Sequence, residues 1–258
     1  MSQLLTLSPP APSIAEIVSG DLHEMIEWSR TRGSRAGYFA ALYTHVGAAI
    51  ELACERGDFV HTDLLLRVHE TFFARYLDAF DDHRSGLPTT ATWNVAFDAT
   101  ASDRLCIVQH LLLGMNAHIN LDLAIAVADA LDPEEINAFH GDFNRMNALL
   151  GSLVDCVSAD LALASPLLCW INRLGSRPDD VIINFSMRLA RDHSWRSATL
   201  LSTLRGAPRA RAVAALDAHA TALARGIVRP PVPARLVARA ARAGERGDVV
   251  EVIGDLLR

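Results

Sequence analysis

The sequence predicts an all-α protein: an irregular helical bundle around one buried central helix, with a small C-terminal helical subdomain. Three observations carry that expectation. Apolar residues recur at helical spacing almost without relief through the 258 residues. No stretch shows sustained period-two alternation with β-branched enrichment. The breaks fall at turn chemistry: Arg32-Gly33-Ser34, Arg56-Gly57-Asp58, Ser85-Gly86-Leu87-Pro88, Asp132-Pro133, Gly175-Ser176-Arg177-Pro178 and Arg229-Pro230-Pro231.

Taken in order, the Pro-rich residues 1–12 read as a flexible lead-in, and Ser13-Ile14-Ala15-Glu16 has the spacing of a capping box that opens a helix to about Arg30. Residues 36–56 carry the apolar stripe Tyr38, Leu42, His45, Ala49 and Leu52, and residues 60–81 the stripe His69, Phe73, Tyr76 and Phe80. A short helix over 94–100 follows the Pro88 turn. Residues 103–130 are apolar nearly all round, which marks that helix as central and buried. Helices are expected next at 133–139, 141–163, 166–174 and 179–204, the bundle as a whole running over 13–204. From residue 205 to 258 the chain is rich in Ala and Arg and poor in aromatics, and helices at 208–225, 232–243 and 246–257 form the subdomain. Its Arg-rich faces read as solvated surfaces.

Composition excludes several functions. A net charge of −6 and a pI near 5.9 argue against a nucleic-acid surface, which needs clustered positive charge. All 24 basic residues are Arg. Without Lys there is neither a Schiff-base amine for PLP nor a P-loop ammonium for ATP, and no GxGxxG follows a strand to hold NAD. The four cysteines form no CxxC pair and lie among apolar neighbours, reading as small buried hydrophobes in a reducing compartment. The first residues lack the basic and apolar regions of a signal peptide, and no 18-residue apolar run suggests a membrane span. The expected location is cytoplasmic, and the Arg and Ala bias fits a high-GC bacterial genome. Oligomeric state is not legible.

The segment that could carry chemistry is Gln109 to Leu123. At about 100° per residue, His110, His118 and Asp122 fall within an arc of about 120°, and Gln109, Asn116 and Asn120 form a stripe on the opposite side. Burying polar groups costs roughly 1–3 kcal/mol for each left unpaired, so these must find partners or line a cavity. His118 and Asp122 are one turn apart, the spacing that lets an imidazole and a carboxylate converge on one ion or simply bond to each other. His45 and His69 add two more inward histidines. A second polar line, His140, Asn144, Asn147, Gly151 and Asp155, is amide-rich, reading equally as cavity-facing or as surface. A third, Asn184, Arg188, Arg191, Asp192 and Trp195, follows the apolar VIINFSM; Arg188 and Asp192 read most simply as an intrahelical ion pair, or, if buried, as a carboxylate clamp.

The stretches QHLLLGMNAHINLDLAIAV, DFNRMNALLGSLVD and NFSMRLARDHSW resemble an uncharacterised bacterial family of helical proteins, over roughly residues 35–200. That likeness singles out residues and implies no reaction. The His118–Asp122 pair is also similar to one in helical zinc phospholipases C and related nucleases.

Three readings follow. In the first, the enzyme is a metal-dependent hydrolase with a divalent ion, zinc or similar, held by His118, Asp122 and His69, and His110 is a further ligand or acid/base group. Asn116, Asn120, His45, Asn144, Asn147, Arg188 and Trp195 would then position a small, largely apolar metabolite or ester. In the second, the same cavity works without metal, and the histidines and Asp122 carry out acid/base cyclisation or isomerisation. The third is a non-catalytic ligand-binding module. Both enzyme readings expect one internal cavity with His69 within about 6 Å of His118; the two histidines lying apart would leave the binding module.

Overall fold

The computed structural model describes residues 14–164, 187–245 and 248–258, and every regular element among them is helical. Glycine sets the first breaks. Gly33, Gly57 and Gly86 take φ of 60°, 71° and 70°, a region costly for any residue with a Cβ. Helices α1 (Ile14–Arg32), α2 (Ala36–Glu55) and α3 (Thr62–Arg84) end against them. Helix α4 (Ala91–Thr100) starts at Thr90, whose side chain accepts a hydrogen bond from the Trp93 backbone N–H.

The central helix runs from Ile107 to Ala130 as α5 (Ile107–Ala117), a π-turn (His118–Asp122) and α6 (Leu123–Ala130). It is long and apolar enough to cross a membrane by composition, and 83% of its most apolar window is buried inside the protein. Two apolar clusters flank it. One joins α1 to α5 through Phe39, Tyr76, Phe80, Trp93 and Leu113. The other joins α6 to its neighbours through Leu121, Ile125, Phe139 and Leu201.

Helix α7 (Pro133–Ala164) is one element where the sequence predicted two, because Gly141 keeps a helical backbone and is not among the positive-φ glycines. Then follow α8 (Met187–Thr203), α9 (Gly206–Val228), α10 (Val232–Gly244) and α11 (Val249–Leu256). Residues 205–258 share the bundle's core: Ala220 and Ala224 on α9 and Ile253 on α11 are fully buried within it. Asp217 on α9 caps α4, accepting from the backbone N–H groups of Ala91 and Thr92 at 2.9 Å each and from the Thr92 hydroxyl at 2.7 Å. The expected lead-in, the Ser13 cap and the helix at 166–174 lie outside the described residues.

One close approach shapes the interior. A Cβ on Gly114 would lie 2.5 Å from Cγ of Phe39, so the glycine is what lets the Phe39 side chain press against the central helix. That ring in turn packs on Tyr43, Tyr76 and His118.

Candidate functional site

Between α2, α3, α5 and α7 lies a cavity of about 270 Å³, walled almost entirely by apolar side chains such as Leu42, Val46, Val68, Phe72, Leu112 and Met115. Its few polar lining groups are Tyr43, His45, His69, His118, Asn147 and Arg191.

His118 sits where the central helix changes pitch. The Leu123 N–H bonds to the His118 carbonyl, an i to i+5 turn that widens the helix by one residue and reorients the side chains within it. Aromatic rings hold the imidazole in place. Phe72 stacks on it with centroids 3.5 Å apart and planes 10° from parallel, and Tyr43 and Phe39 meet it edge-on at 5.1 and 5.7 Å. Neither ring nitrogen has a hydrogen-bond partner among the described residues, and the same holds for the Tyr43 hydroxyl and for Nε2 of His69. Tyr43 lies against both histidines, stacked on His69 at 6.3 Å.

Asp122 is 1% exposed and stands behind this group. Its Oδ1 accepts from Nε of Arg75 at 3.0 Å and its Oδ2 from Nε1 of Trp93 at 2.8 Å. Nδ1 of His118 is 3.7 Å from Oδ2, beyond a hydrogen bond yet close enough for the carboxylate to favour a charged ring. Burial nevertheless dominates and lowers the His118 pKa, with Arg75 adding to the fall. Burial, reinforced by His118, takes His69 down to about 4. It pushes the Tyr43 hydroxyl up, with Asp122 contributing. At neutral pH the cluster is therefore two neutral imidazoles and a protonated phenol, each able to donate or accept. Arg191, lowered to about 10 by burial, stays charged.

These shifts set a pH dependence. His69, and likewise His110 at about 4, bind a proton more weakly in the fold than in the unfolded chain, where the ordinary value is 6.5. Their contribution is therefore complete above pH 6.5 and is lost as pH falls towards 4. Urea midpoints are expected to drop steeply across that window. A flat profile there would mean that neither ring is buried neutral.

Of the residues singled out in the sequence, His118 and His69 line the cavity, with Asp122 directly behind. His45 also lines it, its Nε2 2.6 Å from the Leu256 carbonyl oxygen. Asn147 lines it, its Oδ1 without a partner among the described residues. Others lie elsewhere, for physical reasons. The amide stripe meets α9: Gln109 donates to the Ile227 carbonyl at 2.7 Å and Asn116 to that of Ala220 at 2.9 Å, while Asn120 donates to Asn116 at 3.0 Å. These amides pin two helices together. His110 faces a separate pocket of about 20 Å³ beside Gly114 and Trp93, with neither nitrogen hydrogen-bonded among the described residues. Asn144 is exposed. Trp195 stacks on His140 at 4.8 Å and packs behind the lining residues Phe139 and Phe143. The side chains of Asn184, Arg188, Gly151 and Asp155 lie outside the described residues.

Sequence reasoning missed Tyr43, Phe72, Arg75 and Trp93. Arg75 left a trace, a cation between the core residues Phe73 and Tyr76. For the expected ligand set of His118, Asp122 and His69, the carboxylate that would hold an ion already accepts one hydrogen bond on each oxygen, from Arg75 and from Trp93. Among the described residues no three His, Cys, Asp or Glu side chains converge as ligands.

A family model described as a family of unknown function (DUF5995) matches residues 14–230, a longer span than the sequence resemblance covered. No curated protein and no solved structure matches the chain.

Proposed function

The chain belongs to this family of unknown function, so its chemistry must be read from the cavity, and we propose that it binds a small, largely apolar molecule carrying one hydrogen-bonding group, with which His118 exchanges a proton. One observation carries the reading: a cavity of about 270 Å³ with apolar walls, lined by Tyr43, His69 and His118, in which both histidine rings pack against the Tyr43 ring and polar atoms of all three residues have no hydrogen-bond partner among the described residues. Apolar walls supply affinity for the body of the ligand, and a few polar atoms fix its orientation. Each unpartnered buried group costs about 1–3 kcal/mol in the empty protein. A ligand hydroxyl or carbonyl that satisfies two of them recovers that cost on binding.

The proton chemistry follows from the same geometry. A neutral imidazole can accept a proton from the ligand, the charge then lying 3.7 Å from the Asp122 carboxylate. Asp122 is fixed by Arg75 and Trp93, so the stabilising charge is in place before the reaction. Tyr43 or His69 would donate to a developing oxyanion. This is acid/base chemistry of the isomerisation type, with no step through a metal.

The reading is tested by calorimetry and thermal shift with a series of medium-chain ketones, alcohols and carboxylates against sugars and nucleotides. Ketones and alcohols are expected to bind with negative ΔCp and raise the melting temperature. Filling the cavity with Leu112→Trp should remove the effect. Failure of every apolar compound to bind, or equal binding by the filled variant, would overturn it.

A further inference from the structure

The outer face of α10 is an unusual surface. Ala238 and Ala241 pack it onto Cys106 and Val108. At about 100° per residue, Val232, Leu236, Ala240 and Ala243 point the opposite way, and Arg235 and Arg239 run along one flank of that apolar strip. Val232, Leu236 and Val237 are 57%, 59% and 41% exposed. A solvated helix carries charge at the centre of its outer face, whereas this one carries valine and leucine there.

Charge is segregated to the same part of the chain. Residues 205–242 hold eight arginines and a single acidic residue, Asp217, in a protein whose net charge is −6. Arg209 and Arg242 pair with Asp129 and Glu245. Arg211, Arg225, Arg229, Arg235 and Arg239 are exposed and make no ion pair among the described residues. Apolar side chains projecting from a surface helix, flanked by exposed arginines, match the makeup of helices that lie in the interface of an anionic bilayer.

We propose that α10 docks this protein on anionic lipid surfaces, with Val232 and Leu236 entering the headgroup boundary and Arg235 and Arg239 meeting lipid phosphates. This surface proposal is independent of what the cavity holds. The two are nonetheless neighbours, since Val108, against which α10 packs, also lines the cavity. An apolar ligand taken from a bilayer would have a short distance to travel.

Co-sedimentation of the full chain with phosphatidylcholine vesicles, with and without phosphatidylglycerol, tests it. Binding is expected to require phosphatidylglycerol and to weaken as salt is raised. The double variant Arg235→Gln/Arg239→Gln should lower partitioning about 30-fold, and Leu236→Asp should lower it as well. Both should leave the melting temperature unchanged, because these side chains are exposed. The proposal is overturned by equal binding to pure phosphatidylcholine, by no binding to either vesicle, or by binding that neither variant alters. A concentration-dependent dimer that Leu236→Asp dissolves would assign the strip to a second copy of this chain instead.

Discussion

Asp122→Ala is expected to destabilise the fold by about 3–5 kcal/mol, the cost of leaving a buried indole N–H and a partly buried cation without their shared acceptor. The loss comes from what the carboxylate leaves behind. Arg75, only 27% exposed along its side chain, loses its acceptor, and so does the indole N–H of Trp93, which is fully buried and stacked between Tyr76 and Phe97. The indole N–H cannot reach water without disturbing that stack, and the partly buried guanidinium is left without its anion. Asp122→Asn keeps the shape and one acceptor oxygen, so it should cost less than the alanine variant. Pairing Asp122→Ala with Arg75→Met should recover part of the loss, because the uncompensated cation is gone. Urea unfolding of the four proteins measures this. A loss below about 1 kcal/mol for Asp122→Ala would show that the carboxylate does not hold these elements together.

Periodicity made the fold legible, and the central helix was its clearest feature. QHLLLGMNAHINLDL is apolar on nearly every side, which only a buried helix tolerates, and the glycine turns at 33, 57 and 86 stand where the helices stop. His118, Asp122 and His69 were legible as a group for the same reason, since each is a polar residue on an apolar face. The rest of the site depended on pairings between distant parts of the chain. Asn116 and Gln109 bond to main-chain carbonyls more than a hundred residues away, and nothing in a one-helix projection distinguishes such a clamp from a catalytic amide. Tyr43 and Phe72 look like packing residues until the rings of α2 and α3 close on His118. The π-turn adds a second obstacle. It breaks the constant 100° step on which any projection rests, at the very residue whose direction matters most. At His140 the error ran the other way, since a break between 139 and 141 is expected where one helix runs on from Pro133 to Ala164.

His118→Leu is expected to separate stability from activity. The substitution removes an imidazole whose two nitrogens are buried without hydrogen-bond partners among the described residues, each such group costing about 1–3 kcal/mol. Against this stands the lost stack on Phe72, about 0.5–1.5 kcal/mol. The ligand-free variant should therefore be more stable than the parent by about 1 kcal/mol, read from urea midpoints. Its proton chemistry should fall by about 10²–10⁴, the usual contribution of a positioned acid or base. Hydrogen–deuterium exchange at the carbon next to the carbonyl of a bound ketone, followed by NMR, reads that step directly. The parent should take a proton from that carbon onto His118 and return a deuteron from solvent, whereas the variant should bind the ketone and leave its hydrogens in place. A histidine kept only for packing would give the opposite pattern, with stability falling on substitution and exchange the same in both proteins. Stability gained together with exchange lost is the signature of a side chain retained at a cost to the fold.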